Sequence, residues 1–183
     1  MNHTRRLARL PSASTAAAVA CLLVATPAPA DTVETLGSVG AIALPASGLL
    51  TAALHKDKHG ALQLAEAYGT TMAVVYILKP IVDRTRPDGG SQSFPSGHSA
   101  SAFAGAAFLQ RRYGWSYGVP AYALATFVAW SRVESKRHWT SDVIAGGAIG
   151  IASNLVFTHR LSKVTVQPAV VRRGAGLSLG VTW

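Results

Sequence analysis

Thiols are nearly absent from this sequence. The 183-residue chain has one cysteine, Cys21, and it falls inside an apolar N-terminal stretch. A disulfide framework, a thiolate metal site and a cysteine nucleophile are therefore excluded from the body of the protein. Acidic residues are also scarce, 8 against 17 Lys and Arg, and they lie scattered, so no carboxylate cluster offers itself to a divalent cation. The basic excess, formally +9, would suit nucleic acid, anionic lipid or phosphate esters. Nucleic acid is set aside because no dense basic tract is interleaved with aromatics. No internal repeat is present.

What the sequence does have begins with a targeting pattern. Arg5, Arg6 and Arg9 precede an apolar stretch from about Ala16 to Ala25, and Ala28-Pro29-Ala30 follows before Asp31. A basic n-region, a short h-region and an A-x-A-like site read as a signal peptide over residues 1–30. The competing reading is an uncleaved first transmembrane helix, which the short apolar run and Pro27 and Pro29 disfavour. Either way the chain enters a secretory route, which also argues against nucleic acid.

Beyond Asp31 the chain reads as five apolar segments rich in small residues, over 33–54, 61–82, 97–110, 117–131 and 141–158. Runs of this length and composition predict helices, punctuated at Gly60, Pro87 and Gly114. The frequent Gly, Ala and Ser allow close helix packing. The fold class is thus all-α, a bundle of about five helices over 31–162, with an extension over 163–183. Residues 164–171 and 177–183 are β-prone around Arg172-Arg173-Gly174, so the extension reads equally as a β-hairpin or an irregular tail. The third and fourth segments are short for a bilayer, and Pro45, Glu66 and Pro120 interrupt apolar runs. An integral membrane bundle and a membrane-associated one outside the cytoplasm both fit.

Three polar clusters fall at segment ends. Lys79 stands seven residues before Arg86-Pro87, with Arg84 between them. Pro95-Ser96-Gly97-His98 opens the third helix, and a turn running into a helix aims backbone N–H groups at an anion. Ser131-Arg132 is followed by His138 and, four residues later, Asp142; on one helix face that carboxylate would accept from one ring nitrogen and leave the other free to attack. Each cluster alone has a plain structural reading: a solvated helix end, an N-cap, a surface ion pair. Taken together they say more. If successive helices alternate in direction, all three clusters meet at one end of the bundle. Three cations, a helix N-terminus and two histidines then surround one point, which suits a phosphate.

In order and spacing these three clusters resemble the signature motifs of the type 2 phosphatidic acid phosphatase (PAP2) superfamily, which includes lipid phosphatases, bacterial non-specific acid phosphatases and vanadium haloperoxidases. The resemblance implies roles. His138 is the nucleophile that takes the phosphoryl group, Asp142 orients it, and His98 is the general acid. Lys79, Arg86 and Arg132 bind phosphate, as does the turn at Ser96 and Gly97. No metal and no cofactor are implied. Arg84 either supplements the phosphate site or caps its helix. His55, Lys56, Lys58 and His59 read as a solvated turn, and Trp115, Trp130 and Trp139 as packing or membrane-interface residues.

The expected activity is therefore a metal-independent phosphatase working through a phosphohistidine, on phosphomonoesters or diphosphates that are lipid-linked, at the periplasmic side of the inner membrane. The expected partner is a phosphorylated membrane lipid. Rival readings are a soluble periplasmic acid phosphatase of broad specificity, a vanadate-dependent haloperoxidase and a non-catalytic envelope protein. Oligomeric state has no signature in the sequence.

Overall fold

The computed structural model describes residues 30–161, 163–171 and 174–182, so the expected signal peptide lies outside the described residues. Five helices run α1 Ala30–Leu54, α2 Lys58–Val82, α3 Gly97–Tyr113, α4 Trp115–Glu134 and α5 Thr140–Phe157. Each expected segment is present. The second starts earlier than Gly60 suggested, because the Asp57 carboxylate caps α2 by accepting from the Gly60 N–H at 2.9 Å. The two nine-residue strands, β1 Lys163–Val171 and β2 Gly174–Thr182, pair antiparallel. The second strand begins at Gly174, three residues before the β-prone stretch read from side-chain type.

The helix α3 is the axis of the bundle. It packs against all four others, which surround it in the order α1, α2, α5, α4. Its sequence explains its place: Ala100, Ala102, Ala104, Ala106 and Ala107 are fully buried, and only small side chains let four helices approach one. The closest approach is from α5. A Cβ on Gly146 would sit 2.3 Å from the Ser96 carbonyl oxygen, and one on Gly150 would sit 2.5 Å from that of Ala100. This small-xxx-small face presses the start of α5 onto the start of α3. A larger core of Leu44, Leu64, Phe108, Leu109 and Val128 fills the rest.

Between the ends of the bundle the outer surface is mostly apolar. Ile42, Leu50 and Leu54 on α1, Ile77 and Ile81 on α2, Val119 on α4, and Ile144 and Val156 on α5 are all exposed. By length and apolarity α1, α2 and α5 could each cross a membrane. Among the described residues, α3 contributes no exposed large apolar side chain.

At the α1–α2 loop end, Asp57 accepts from Arg112 Nε and Nη2, both at 2.7 Å, and from the Tyr113 hydroxyl at 3.0 Å. The guanidinium of Arg112 holds the Asp57 carboxyl down at about 2. Arg112 Nη1 also reaches the His159 carbonyl at 2.8 Å, so one buried pair ties the α1–α2 loop, α3 and the end of α5. Lys56 and Lys58 are exposed, as a solvated turn requires, while Asp57 between them is buried.

Candidate active site

The alternating helices bring the end of α2, the start of α3, the end of α4 and the start of α5 to the other end of the bundle. Between them lies a cavity of about 450 Å³. Its polar end is lined by Lys79, Arg86, Gly97, His98, Arg132 and His138. Its other wall is apolar, from Ala41 and Ile42 of α1 and Met72, Val75 and Tyr76 of α2.

Lys79 stands in the last turn of α2 and spends one donor on the Gln92 carbonyl at 2.8 Å. The helix stops at Asp83, and the chain folds back on itself: Arg86 N–H donates to the Gly90 carbonyl at 2.7 Å, and Ser93 N–H to that of Arg84 at 2.7 Å. This fold-back turns Arg86 into the cavity. Its Nε is buried and has no hydrogen-bond partner among the described residues. A buried guanidinium donor without an acceptor is costly, and an anion in the cavity would satisfy it. Arg132, in the last turn of α4, is almost wholly buried and donates to the Glu34 carbonyl through Nη2 and to Ser131 Oγ through Nε at 3.2 Å.

His138 is buried in the α4–α5 loop, its N–H donating to the Arg132 carbonyl at 3.1 Å. Its Nδ1 lies 2.7 Å from the Ser93 carbonyl. A carbonyl can only accept, so Nδ1 carries the proton and Nε2 keeps a free lone pair. Burial pushes the imidazole down to about 4; nearby Lys79 and Arg86 add to this, while the Ser93 carbonyl opposes it. At neutral pH the ring is uncharged, with its Nε2 lone pair unprotonated.

Asp142 differs from its expected arrangement. Its Oδ2 is 3.9 Å from His138 Nδ1 and accepts instead from the Ser93 hydroxyl and from the Trp139 N–H at 3.0 Å. Its Oδ1 takes Arg84 Nη1 at 2.8 Å. The carboxylate thus fixes the residue whose carbonyl fixes the histidine. Arg84 neither lines the cavity nor caps its helix. It holds Asp142 and lies over the Trp139 ring, 5.3 Å from its centroid. Ser96 is also placed differently from expectation. It is fully buried behind the turn, its N–H donating to the Asp142 carbonyl at 3.0 Å and its hydroxyl accepting from Ser99 N–H at 3.4 Å. Gly97 and His98 do line the cavity, at the first turn of α3, where N–H groups have no intrahelical acceptor.

Three residues at the site, Ser93, Arg137 and Glu34, were not singled out by sequence. Ser93 supplies a backbone oxygen, which has no side-chain signature. Arg84 was noted without its partner. Arg137, beside His138, donates to Glu34 Oε1 at 2.9 Å and to Asp88 Oδ2 at 3.1 Å. Glu34 carried a readable signal, an acidic residue one turn into a helix that has no charge after it.

An α-helical bundle with a buried histidine facing an arginine- and lysine-lined cavity defines a class of phosphoryl-handling site. The chain belongs to the PAP2 superfamily, whose model matches residues 60–165. It is 40% identical over 99 residues to the lipid A 1-phosphatase of Porphyromonas gingivalis, covering 50% of this chain and 22% of that protein. It is 32% identical over 117 residues to the lipid A 4'-phosphatase of Helicobacter pylori, covering 57% of this chain and 59% of that protein. The chain thus spans less than two thirds of either relative. In fold it is similar to Aquifex aeolicus LpxE, with a TM-score of 0.63, 21% identity, and coverage of 72% of this chain and 86% of that one. A transmembrane PAP2-type phosphatidylglycerolphosphate phosphatase from Bacillus subtilis gives a TM-score of 0.57 at 23% identity, with coverage of 75% and 79%.

Proposed function

We propose that this protein is a membrane phosphatase that removes phosphate from a lipid through a phosphohistidine on His138. The observation that carries this reading is the pairing of His138 Nδ1 with the Ser93 carbonyl, which leaves Nε2 bare in a cavity lined by Lys79, Arg86 and Arg132. In the first step Nε2 attacks phosphorus, the P–N bond forms and the P–O bond to the lipid breaks, with His98 giving its proton to the departing oxygen. In the second, water attacks phosphorus, its proton passes to His98, and the P–N bond breaks to release phosphate. The three cations, Arg86 through its orphaned Nε among them, and the first-turn N–H groups of α3 stabilise the charge that builds on the phosphoryl oxygens.

A lipid substrate is supported by the apolar wall between α1 and α2, which continues from the phosphate end of the same cavity. The relatives' action on lipid A points the same way. The exposed apolar girdle supports a bundle that spans the bilayer rather than a soluble one. Glu66, exposed two turns into α2, is the charge such a bundle must reach from the headgroup boundary. Lys56, Lys58, Arg111 and Arg160 gather at the end away from the site, so the positive-inside rule puts that end in the cytoplasm and His138 outside.

The test is phosphate release in detergent from phosphatidate, lipid A and prenyl phosphates, with His138→Ala as control, together with trapping of an acid-labile, base-stable phosphoenzyme. Release that persists in EDTA and is blocked by vanadate is expected. Loss of activity in EDTA with recovery in Mg²⁺, or wild-type turnover by His138→Ala, would overturn the reading.

A further inference from the structure

The mouth of the cavity carries charges that the phosphoryl transfer itself does not use. Arg137 is shared by two carboxylates, Glu34 of α1 and Asp88 of the α2–α3 loop, at 2.9 and 3.1 Å. All three side chains are partly open to solvent. Asp88 is kept ionised by the Gly90 N–H on its Oδ1 at 3.0 Å, with Arg137 adding to this. One guanidinium between two carboxylates leaves this trio with one negative charge in excess, with Glu34 and Arg137 lining the cavity and Asp88 joined to it through Arg137, while the floor of Lys79, Arg86 and Arg132 is strongly positive.

The polarity reverses over a short distance. Glu34 lines the cavity, and its Oε1 is 4.0 Å from Arg132 Nη1, at the edge of the floor. A phosphomonoester places all its charge on the floor. Its leaving oxygen, and the neutral or hydroxyl-bearing part beyond it, then meet the carboxylates or the apolar wall. A diphosphate has a second phosphoryl group with nowhere comparable to go. Against α1 and α2 it would be an anion in an apolar slot. At the mouth it would face Glu34, whose nearer cation, Arg137, is already shared with Asp88.

We propose that Glu34 and Asp88, through their shared Arg137, make this site select phosphomonoesters over diphosphates, rejecting the second phosphate by charge. The inference rests on the phosphatase reading above and narrows its substrate class. It acts by building a repulsive element against the competitor rather than an extra contact to the favoured substrate.

The experiment compares kcat/KM for one prenyl chain carried as a monophosphate and as a diphosphate, in the same detergent. The wild-type enzyme should prefer the monophosphate by roughly tenfold or more, the scale of a single like-charge contact of over 1 kcal/mol. Glu34→Gln and Asp88→Asn should each shrink that ratio several-fold, mainly by raising the diphosphate value, and added salt should shrink it further in the wild type. Asp57→Asn, at the far end of the bundle, should leave the ratio where it was. Thermal melts check that Glu34→Gln is folded, and Asp88→Asn, in a loop, reads the same charge without touching a helix. A wild-type ratio near one, or a ratio unmoved by both variants, would overturn the proposal while leaving the phosphatase reading intact. Hydrolysis of neither substrate would overturn this inference, and only if phosphatidate and lipid A are also left intact would the phosphatase reading go with it.

Discussion

At one end of the bundle Asp57 accepts from Gly60, Tyr113 and two nitrogens of Arg112, and Arg112 spends its remaining reach on the His159 carbonyl. At the other end Asp142 is equally well held by Arg84, Ser93 and Trp139. Around it, however, stand cations with unspent donors: Lys79 donates to one carbonyl, and Arg86 has a buried donor with no acceptor among the described residues. Both ends use a buried aspartate to tie loops to helices. Only one surrounds it with unspent positive charge, and that surplus marks the site more clearly than the aspartate does. A finished ion pair stabilises; an unfinished one binds.

The sharpest way to test this contrast is to strike each end in turn. His138→Ala should lower kcat by at least about ten thousand-fold and abolish the phosphoenzyme while leaving the melting temperature near that of the wild type. Asp142→Asn should lower kcat by about a hundred-fold with a much smaller change in KM, because it loosens the Ser93 carbonyl that sets the histidine tautomer. Wild-type kcat in that variant would make the aspartate a structural tie only, like its counterpart. Asp57→Ala should do the opposite. It leaves Arg112 buried without its partner and costs about 3–5 kcal/mol of stability, seen in denaturant melts, while kcat per folded molecule is kept.

Acid separates the two ends as well. If His138 attacks as proposed, the free-enzyme pH profile should show an acidic limb as it protonates near pH 4 and its Nε2 lone pair is lost. The same depression has a sign for stability. The unfolded chain binds this proton from about pH 6.5 downward, the native protein only near 4, so stability falls as pH drops through that window. Asp57 works lower. Its stabilisation is complete above its ordinary value of 3.8 and is lost as pH falls towards about 2. A variant lacking His138 should therefore lose less stability between pH 6.5 and 4, with the step below that unchanged.

Much of this was legible in the sequence, and the limits have physical causes. Helix positions follow from long apolar runs, and alternation of direction alone brings Lys79, Arg86, His98, Arg132 and His138 together. Spacing says which residues meet but not which atom takes which proton. His138 and Asp142, four apart, suggested a direct pair; the loop between Arg84 and Ser96 inserts a backbone carbonyl there instead. Ser96 illustrates the same limit, since a turn residue can face an anion or its own helix. Glu34 and Arg137 meet across 103 positions, a pairing no local pattern encodes.

The burial of α3 sets the tolerance of the whole molecule to change. Every face of that helix meets another helix, and the alanines along it leave no spare volume. The outer faces of α1, α2, α4 and α5, by contrast, present interchangeable apolar side chains. A saturation library selected for activity would therefore map as a narrow, intolerant rod running the length of the protein, ending in the Gly97-His98 turn, inside a sleeve where Leu, Ile, Val and Phe exchange freely. Engineering a new substrate range should begin on the sleeve and leave the rod alone.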